Sequence, residues 1–593
     1  MNGGPEKPVP RQQRPSRRGT QMGSFRSYYA GVKFLAVFAL LALVIGACSP
    51  SAAPQTSAGT PVAGGRVIVG SFADAKVLNP ILNNDVPSQD VLNRLYESLV
   101  QTDTKTGQPM PRLAEKFDAS PDGKTFTFTL RDGLVWSDGT PFSGDDFKFT
   151  VQATMRSKAT TRKSNFQDIV GATDYGSGKA TDIAGIVING KTITVNFAKA
   201  SCPALVNMGT FRILPKSVFG KYLDANDATK NLDNAPENTS PPPVAMGAFV
   251  FKEWKPNDHI TLVRNDKFFL GKPLLDEWVY KIVPDGNALA AAEKTGEVDY
   301  VTVEPPYLED LKKQSNLSFF SYLSPGYTFI GWNELHSGNE FFQDKNVRQA
   351  LTYGLDMQQV IDKIYLGEGK KMVAHTPPIS WAYNAAGLNT YNFDAAKAEQ
   401  LIQASGYTKG ADGIYQKGGQ KLEFDLWTHP DNPTRVTLQQ VAVEQYKKIG
   451  VNAIPKQEAF PALVDRLTKS KDAKYGDQGG HDFGAVIIGW SLTDDPDAYS
   501  IWHSSQAAGG LDFIGYKNPA VDKALEDGRT LCGTDQRKAA YQNFDKQLND
   551  DQPYNFGFAG NTLLFVNKRV QGLAPGSFGL RGFTDLQKWW IQQ

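Results

Sequence analysis

Residues 111–150 read PRLAEKFDASPDGKTFTFTLRDGLVWSDGTPFSGDDFKFT and contain the clearest structural signals in the chain. Within them, residues 125–131 alternate phenylalanine or leucine with threonine, which is typical of a strand with one buried face. Two Asp-Gly pairs follow and predict turns. Ser143 and Asp146 then stand at capping-box spacing before an apolar run. The stretch therefore predicts a strand, a turn region and a helix that begins near Ser143.

The composition indicates a large soluble protein. With 593 residues, the chain is several times longer than a common domain of roughly 150 residues, so it has material for more than one core. Hydrophobic residues make up 40% and charged residues 21%, which disfavours a collagen, a coiled coil, a multi-span membrane protein or a disordered chain. Lys plus Arg number 63 and Asp plus Glu 62, so the chain lacks the positive excess of a nucleic-acid-binding protein.

Helical periodicity recurs farther along the chain. Apolar residues over 347–364 fall mainly at helical spacings, and Asp344 is suited to cap a helix there. A second helix is predicted over about 395–404, with Gly406 suited to the left-handed position after it. These helices alternate with strand-like segments, so the predicted fold class is mixed α/β with helices packed on sheets.

One stretch matches a nucleotide-binding motif by pattern alone. GIVINGKT at 185–192 satisfies the Walker A pattern, but three of its four variable positions are β-branched and a strand-like segment follows instead of a helix. Asn189-Gly190 between two β-branched runs is typical of a hairpin with a type I′ turn. We therefore predict a hairpin here and no phosphate site.

Motifs for catalysis and metal binding are missing from the sequence. The histidines are dispersed, with none three or four residues from another, and they are His259, His336, His375, His429, His481 and His503. There is neither a G-x-S-x-G elbow nor an H-E-x-x-H motif. We predict no cofactor and no metal site, and the enzyme hypothesis is weakened.

Three cysteines are too few for a disulfide scaffold in a chain of 593 residues. Besides Cys48, the sequence contains Cys202 and Cys532, which an exported protein can join in one long-range bridge. The sequence leaves open whether that bond forms.

The first 47 residues have the pattern of a secretory signal peptide. Seven basic residues and one acidic residue precede or flank the apolar run FLAVFALLALVIGA at 34–47, which has 14 residues where a membrane span needs about 20. Either Met1 or Met22 is suited as the start. The run ends in Ile-Gly-Ala-Cys48, which resembles the bacterial lipobox, in which the cysteine becomes the lipid-modified first residue; a plain signal peptide with an incidental Cys48 is the alternative. Residues 48–65, rich in Ser, Ala, Pro and Gly, are predicted to be a flexible, lipid-anchored linker.

Several stretches resemble one known protein family. Residues 111–150 match its signature region, and further resembling stretches follow in family order, namely GGRVIVGSFADAKVLNPIL at 64–82, FKEWKPNDHITLVRNDKFFLGKP at 251–273, DKNVRQALTYGLD at 344–356, FDAAKAEQLIQASGY at 393–407 and GWSLTDDPDAYSIW at 489–502. The chain resembles the extracytoplasmic solute-binding proteins of ABC importers, in the family 5 group that binds dipeptides, oligopeptides or nickel.

This resemblance implies a two-lobed α/β fold like that of the periplasmic binding proteins, of type II and of the large peptide-binding subgroup. A hinge would join the lobes and a central cleft would hold the ligand. The implied boundaries are 66–325 for lobe I with an extra subdomain at about 106–239, 326–554 for lobe II, and 555–593 for a C-terminal return to lobe I.

The resemblance also suggests residues of the cleft. Trp490 is similar to a cleft tryptophan that walls the ligand, although a core tryptophan fits as well. Tyr327, Trp332 and Asn333 resemble a strand that faces the cleft beside the hinge, and plain strand packing is the alternative. His429, at the end of a predicted strand, is a further candidate for ligand contact.

The acidic residues after Trp490 depart from the family pattern. Peptide-binding relatives commonly place an aspartate three residues after the cleft tryptophan, where it holds the ligand's ammonium group, but Thr493 stands there in this chain. Asp495 precedes a proline and is predicted to cap a helix with Asp497 in its first turn. Asp494 has no such local role, so it is the predicted partner of a cationic ligand group.

The sequence thus predicts a monomeric, lipid-anchored receptor on the outer face of the bacterial cytoplasmic membrane, or on the periplasmic side where an outer membrane exists. It would capture extracellular peptides and deliver them to an ABC permease and its ATPase without catalysis. The alternatives are a receptor for nickel, a metallophore or another small solute, a surface sensor that does not transport, and an exported hydrolase.

Overall fold

The structure is a computed structural model, and it describes residues 60–103, 108–223, 230–493, 495–574 and 585–592. The predicted signal peptide, Cys48 and Asp494 lie outside these residues. Among the described residues, no helix combines the length and the hydropathy that a membrane span requires.

Strands and helices alternate through the first half of the chain. The elements up to residue 325 are β1 (Arg66–Ser71), α1 (Val86–Leu95), β2 (Val100–Thr102), β3 (Pro109–Pro111), β4 (Ala114–Ala119), β5 (Thr125–Leu130), α2 (Gly144–Arg156), α3 (Ala172–Gly176), β6 (Ile186–Asn189), β7 (Thr192–Asn196), α4 (Ala204–Thr210), α5 (Lys216–Phe219), β8 (Phe249–Lys255), β9 (His259–Arg264), β10 (Glu277–Ile282), α6 (Gly286–Thr295), β11 (Tyr300–Val303), α7 (Leu308–Leu311) and β12 (Leu317–Leu323).

The second half has longer helices between its strands. Its elements are β13 (Tyr327–Trp332), α8 (Lys345–Tyr353), α9 (Met357–Lys363), β14 (Gly369–Lys371), α10 (Ala395–Ala404), β15 (Thr408–Lys409), β16 (Tyr415–Lys417), β17 (Gln420–Lys421), β18 (Glu423–Thr428), α11 (Pro433–Lys448), β19 (Asn452–Gln457), α12 (Phe460–Lys469), β20 (Ala485–Trp490), α13 (Tyr499–Trp502), α14 (Pro519–Thr530), α15 (Thr534–Asp551), β21 (Tyr554–Asn567), β22 (Val570–Gln571) and β23 (Trp590–Ile591).

A long mixed sheet runs through the protein in the order β19-β18-β20-β13-β21-β11-β1-β10-β9-β8. Strand β21 is its centre, because its first half pairs with β13 and β14 and its second half pairs with β12 and β11. Strands β4 to β7 form a separate antiparallel sheet in the order β4-β5-β7-β6. This smaller sheet lies within the predicted subdomain.

The apolar side chains form separate cores on the two sides of β21. One set of clusters combines residues 67–317 with 563–589, and we call this part lobe I. The other set is built almost entirely from residues 327–559, and we call this part lobe II. This division favours the predicted boundaries of 66–325 and 326–554, which stay a prediction.

Most of the local predictions are confirmed. Strand β5 buries alternate side chains, and α2 begins after Ser143 with the full capping box to Asp146. Helix α10 has the predicted bounds, and Gly406 adopts a φ of 83° after it. The predicted helix over 347–364 is instead two helices, because Asp356 caps α9 through a bond from the Gln359 amide.

The hairpin at 186–196 forms as predicted, but its turn type was predicted wrongly. Asn189 pairs with Thr192, so the loop consists of Gly190 and Lys191. Only Gly190 of this pair has a positive φ, at 57°. A glycine at the first central position is typical of a type II′ turn, whereas type I′ needs a positive φ at both positions.

Glu293 on α6 is a buried carboxyl group with an unfavourable environment. Its side chain is 0% exposed, and within the described residues neither carboxyl oxygen has a hydrogen-bond partner. Burial, with a smaller contribution from Asp299, raises its pKa from 4.5 to about 9. The folded protein therefore keeps a proton on Glu293 that the unfolded chain releases above about pH 4.5.

We expect Glu293→Gln to stabilise the protein, by an amount that grows as the pH rises from about 5 to about 8. Wild-type stability falls as the pH rises through this window, because the unfolded state loses a proton that the native state holds, and glutamine removes this linkage. The gain near neutral pH is on the order of 1–3 kcal/mol. Differential scanning calorimetry measures it, with the exposed Glu297→Gln as control. A gain that does not change with pH would contradict the assignment.

Candidate ligand cleft

A cavity of about 530 Å³ lies between lobe I and lobe II. This volume falls within the range of about 300–1,000 Å³ typical of pockets for small ligands. Helix α1 and strands β10, β11 and β12 provide the lobe I wall, and α12, the end of β20 and the segment after it provide the lobe II wall.

Helix α1 gives the lobe I wall its polar character. Asp85 starts the helix, because its Oδ1 accepts a hydrogen bond from the Ser88 amide at 2.8 Å. Gln89, Asp90 and Asn93 then line the cavity. Gly247 lies against the main chain of the last turn of α1. A Cβ atom at position 247 would collide with that main chain. The close approach to Gly247 fixes the position of α1 on lobe I.

The neutral amides on this wall are bonded to one another. Asn83 Nδ2 donates to Gln89 Oε1 at 2.9 Å, and Gln89 Nε2 donates to Asn93 Oδ1 at 2.8 Å. Arg212 Nη2 donates to the same Asn93 oxygen at 3.1 Å, and Arg162 Nη2 donates to the Asn83 carbonyl at 2.8 Å. These bonds make the wall rigid.

Three tyrosines complete the lobe I wall, namely Tyr280 on β10, Tyr300 on β11 and Tyr322 on β12. The Tyr280 hydroxyl donates to the Asp90 main-chain carbonyl at 2.6 Å. Burial raises the pKa of Tyr280 above its ordinary value, so the phenol stays a neutral donor. Lobe I therefore presents aromatic rings beside the acidic side chains of α1.

The lobe II wall is mainly apolar. Helix α12 presents Phe460, Val464 and Leu467 to the cavity. Trp490, at the end of β20, lines the cavity, and its ring also stacks against Phe329 at a centroid distance of 5.9 Å. Trp490 therefore lies at the border between the cavity and the lobe II core, and its contact with a ligand stays a prediction.

The side chains of the three predicted residues at the hinge strand are buried in lobe II and do not line the described cavity. Tyr327 is 3% exposed, and its hydroxyl lies 2.9 Å from His375 Nδ1. Trp332 is 0% exposed and belongs to the hydrophobic core on the face of β13 opposite Tyr327. The Asn333 amide donates to the Phe483 carbonyl at 2.7 Å. Each of these side chains has a structural partner.

His429 lies behind the lobe II wall and does not line the cavity. Its Nε2 is 3.0 Å from Arg435 Nη1, and its ring packs against Phe460 at 5.1 Å between centroids. Burial lowers the pKa of His429, so the imidazole is neutral and accepts the bond from Arg435. His429 thus supports Phe460, which does face the cavity.

Asp495 and Asp497, which follow Trp490, form ion pairs, and neither is the N-cap of a helix. Asp495 pairs with Arg537 at 2.7 Å, and Asp497 pairs with Arg529 at 2.7 Å. Helix α13 begins only at Tyr499, so the predicted N-cap at Asp495 was wrong. The two arginine partners lie on α14 and α15, and no local sequence pattern indicates these ion pairs. Asp497 borders the cavity, but its carboxylate is bound to Arg529.

No sequence pattern pointed to the lobe I side of the cleft. Asp85, Asp90 and the three tyrosines did not appear among the candidates, yet all of them line the cavity. Asp85 before a proline-containing helix start was detectable as an N-cap. Its position at the cleft depends on packing that the sequence does not display.

The chain matches one known protein family over most of its length. The model of the bacterial extracellular solute-binding proteins, family 5 middle region, matches residues 108–510. The chain belongs to the family 5 solute-binding proteins.

Individual relatives match nearly the whole solute-binding protein. The oligopeptide-binding protein AppA of Bacillus subtilis (strain 168) is 30% identical over 564 residues, covering 94% of this chain and 98% of AppA. The solved structure of AppA in complex with a nonapeptide has a TM-score of 0.80 at 29% identity and covers 90% of this chain and 100% of AppA. NikZ from Campylobacter jejuni, solved with Ni(L-His), has a TM-score of 0.74 at 25% identity and covers 88% and 99% of the two chains. The two-lobed α/β fold is thereby confirmed.

Direct bonds join the two lobes of this solute-binding protein around the cavity. Lys76 of lobe I forms an ion pair with Asp465 of lobe II and donates to the Pro461 carbonyl at 3.0 Å. Arg529 Nη1 of lobe II donates to the Ser164 carbonyl at 2.9 Å. The lobes are therefore closed on each other in this structure.

A disulfide between Cys202 and Cys532 also crosses from lobe I to lobe II. The Cys202 amide donates to the Arg529 carbonyl at 2.8 Å beside it. The question that the sequence left open is thus answered in favour of a bond. Unlike the polar contacts, this link persists when the lobes move, so it limits how far they separate.

We expect the double variant Cys202→Ser, Cys532→Ser to open farther than the oxidised wild type when no ligand is bound. Loss of a long-range disulfide also lowers stability by about 2–5 kcal/mol. Small-angle X-ray scattering of ligand-free protein measures the opening as a larger radius of gyration, and calorimetry measures the stability. Wild type treated with a reductant is the matched control and should behave like the variant. Unchanged scattering in both samples would contradict the expectation.

Proposed function

We propose that this protein captures extracellular peptides and delivers them to the permease of an ABC transporter. The single observation that carries this proposal is the 530 Å³ cavity enclosed by two lobes, with a polar wall on one side and an apolar wall on the other. The likeness to AppA, an oligopeptide-binding protein solved with a nonapeptide, supports peptides as the ligand class.

The chemistry of the two walls suits a peptide. Apolar side chains of lobe II, including Val464 and Leu467, accommodate ligand side chains without demanding a particular hydrogen bond. Ser491 and Thr493 follow β20 along the cavity, where main-chain groups of an extended segment are suited to pair with a peptide backbone. Such pairing tolerates many sequences, which fits the lack of a sharp motif in the chain.

Closure of the lobes provides the binding mechanism. A ligand that contacts α1 of lobe I and β20 of lobe II makes both sets of contacts only in the closed form, so it shifts the hinge equilibrium towards closure. A micromolar dissociation constant corresponds to about −8 kcal/mol, which a few charge-assisted hydrogen bonds and buried apolar contacts supply. No covalent step is needed, and the peptide is released intact.

Ligand retention tests the proposal directly. We expect native mass spectrometry of the purified protein to detect bound short peptides, from dipeptides to nonapeptides, and denaturation to release them unchanged. Peptides cleaved by the protein would favour a hydrolase. A bound nickel–histidine complex, such as the one NikZ was solved with, would favour the alternative ligand class.

We expect Trp490→Ala to weaken peptide binding by about 10- to 100-fold, because it removes a large aromatic contact of about 1–3 kcal/mol from the wall. Isothermal titration calorimetry with a retained peptide measures the change. Trp381→Ala is the matched control, since Trp381 is 38% exposed and lies outside the cavity. If the two variants bind the peptide with equal affinity, Trp490 does not contribute to the binding site.

The proposal includes a lipid anchor at Cys48, which would keep the receptor at the outer face of the membrane beside its permease. The apolar run at 34–47 and the following cysteine support it. We expect Cys48→Ala to move the protein from the membrane fraction to the soluble fraction, as measured by immunoblotting after cell fractionation. A protein that stays on the membrane after this substitution would argue against the anchor.

A further inference from the structure

Two carboxyl groups on lobe I line the cavity, and in the described part of the chain neither belongs to an ion pair like those of Asp495 and Asp497. Asp85 is 7% exposed, and its Oδ2 has no hydrogen-bond partner within the described residues, although its Oδ1 caps α1. Asp90, five residues farther along the chain, lines the same cavity and stays partly exposed. A buried carboxylate without a partner is costly, so a positively charged group that arrives beside these side chains is stabilised.

The other charged groups of the cavity are already engaged. Asp497 is bound to Arg529, and the Arg162 guanidinium donates to the Asn83 carbonyl and to Asn83 Oδ1. The Arg94 guanidinium lies over the Trp278 ring at 4.8 Å from its centroid. Near Asp85, the Lys76 ammonium is committed to Asp465 and the Pro461 carbonyl.

The electrostatic surroundings agree with this geometry. Burial raises the pKa of Asp90 to about 6, against the influence of Arg94 and with a small contribution from Asp85. Burial also raises the pKa of Asp85. A cation would reverse both shifts, and the aromatic rings of Tyr280 and Tyr300 on the same wall favour a cation further.

We propose that Asp85 and Asp90 form a subsite that binds a cationic group of the ligand, an ammonium or a guanidinium. This inference rests on the proposed function and narrows its ligands to peptides with a positive charge at the lobe I wall. Two sources provide this chemistry, the peptide's α-ammonium group and a lysine or arginine side chain.

The test is a competitive binding experiment on the purified protein. The probe is a tetrapeptide mixture in which half of the members are N-acetylated and in which lysine replaces norleucine at each position in turn, and mass spectrometry identifies the retained members. We expect retention to depend on a positive charge. A preference for free amino termini would assign the α-ammonium group, and a preference for lysine at one position would assign a side chain.

Substitutions then identify the residues that cause the preference for positively charged peptides. We expect Asp85→Asn and Asp90→Asn each to reduce the preference for charged over uncharged members by about 10-fold or more, since a charge-assisted bond is lost. Asn is a good N-cap, so Asp85→Asn keeps α1 folded. Asp285→Asn is the matched control, because Asp285 caps α6 of lobe I through the Ala288 amide at 2.8 Å and lies outside the cavity.

The two hypotheses fail in different ways. Peptides retained by the wild type without regard to charge, or a preference that survives both substitutions, would overturn the subsite and leave peptide binding intact. Retention of no peptide at all would overturn the proposed function and the subsite with it. A preference lost equally in the Asp285→Asn control would also overturn the subsite, because it would reflect net charge alone.

Discussion

The architecture depends on one strand that is shared between two bodies. Strand β21 pairs with β13 of lobe II through its first half and with β12 and β11 of lobe I through its second half. At Gly557, with a φ of 59°, the pairing with β13 changes register, and a Cβ atom there would collide with the Thr328 carbonyl. The hydrogen bonds of β21 to strands of both lobes hold the lobes side by side.

The cleft between the lobes is asymmetric. The walls that meet across the cavity belong to different lobes and have different compositions, polar on α1 and apolar on α12. Apolar contacts tolerate many ligands, whereas rigid polar groups select among them. The same geometry places Cys202 and Cys532 next to each other although 330 residues separate them in the chain.

The buried acids near the cleft differ in whether they have a positively charged partner, and this difference separates structural acids from candidate ligand contacts. Asp495 and Asp497 each lie against an arginine, which offsets the cost of removing a carboxylate from water. Asp85 has only half of its hydrogen-bonding capacity filled, and Asp90 faces an enclosed cavity. Asp495 and Asp497 are therefore neutralised within the protein, whereas Asp85 and Asp90 are the acids of the cavity lining that we propose to bind a cation.

The sequence by itself determined whatever depends on neighbours along the chain. The alternation in β5, the capping box at Ser143 and the hairpin at 186–196 are set by local hydrogen bonds and side-chain periodicity, and the family pattern added the two lobes. Only the tertiary structure decided which side chains reach the cleft. Trp332 and Trp490 both end a strand, but Trp332 lies in the core and Trp490 lines the cavity, and Asp85 lines the same cavity as Trp490 only because packing brings the lobes together. Periodicity identifies a buried face, whereas the partner of that face depends on contacts between residues hundreds of positions apart.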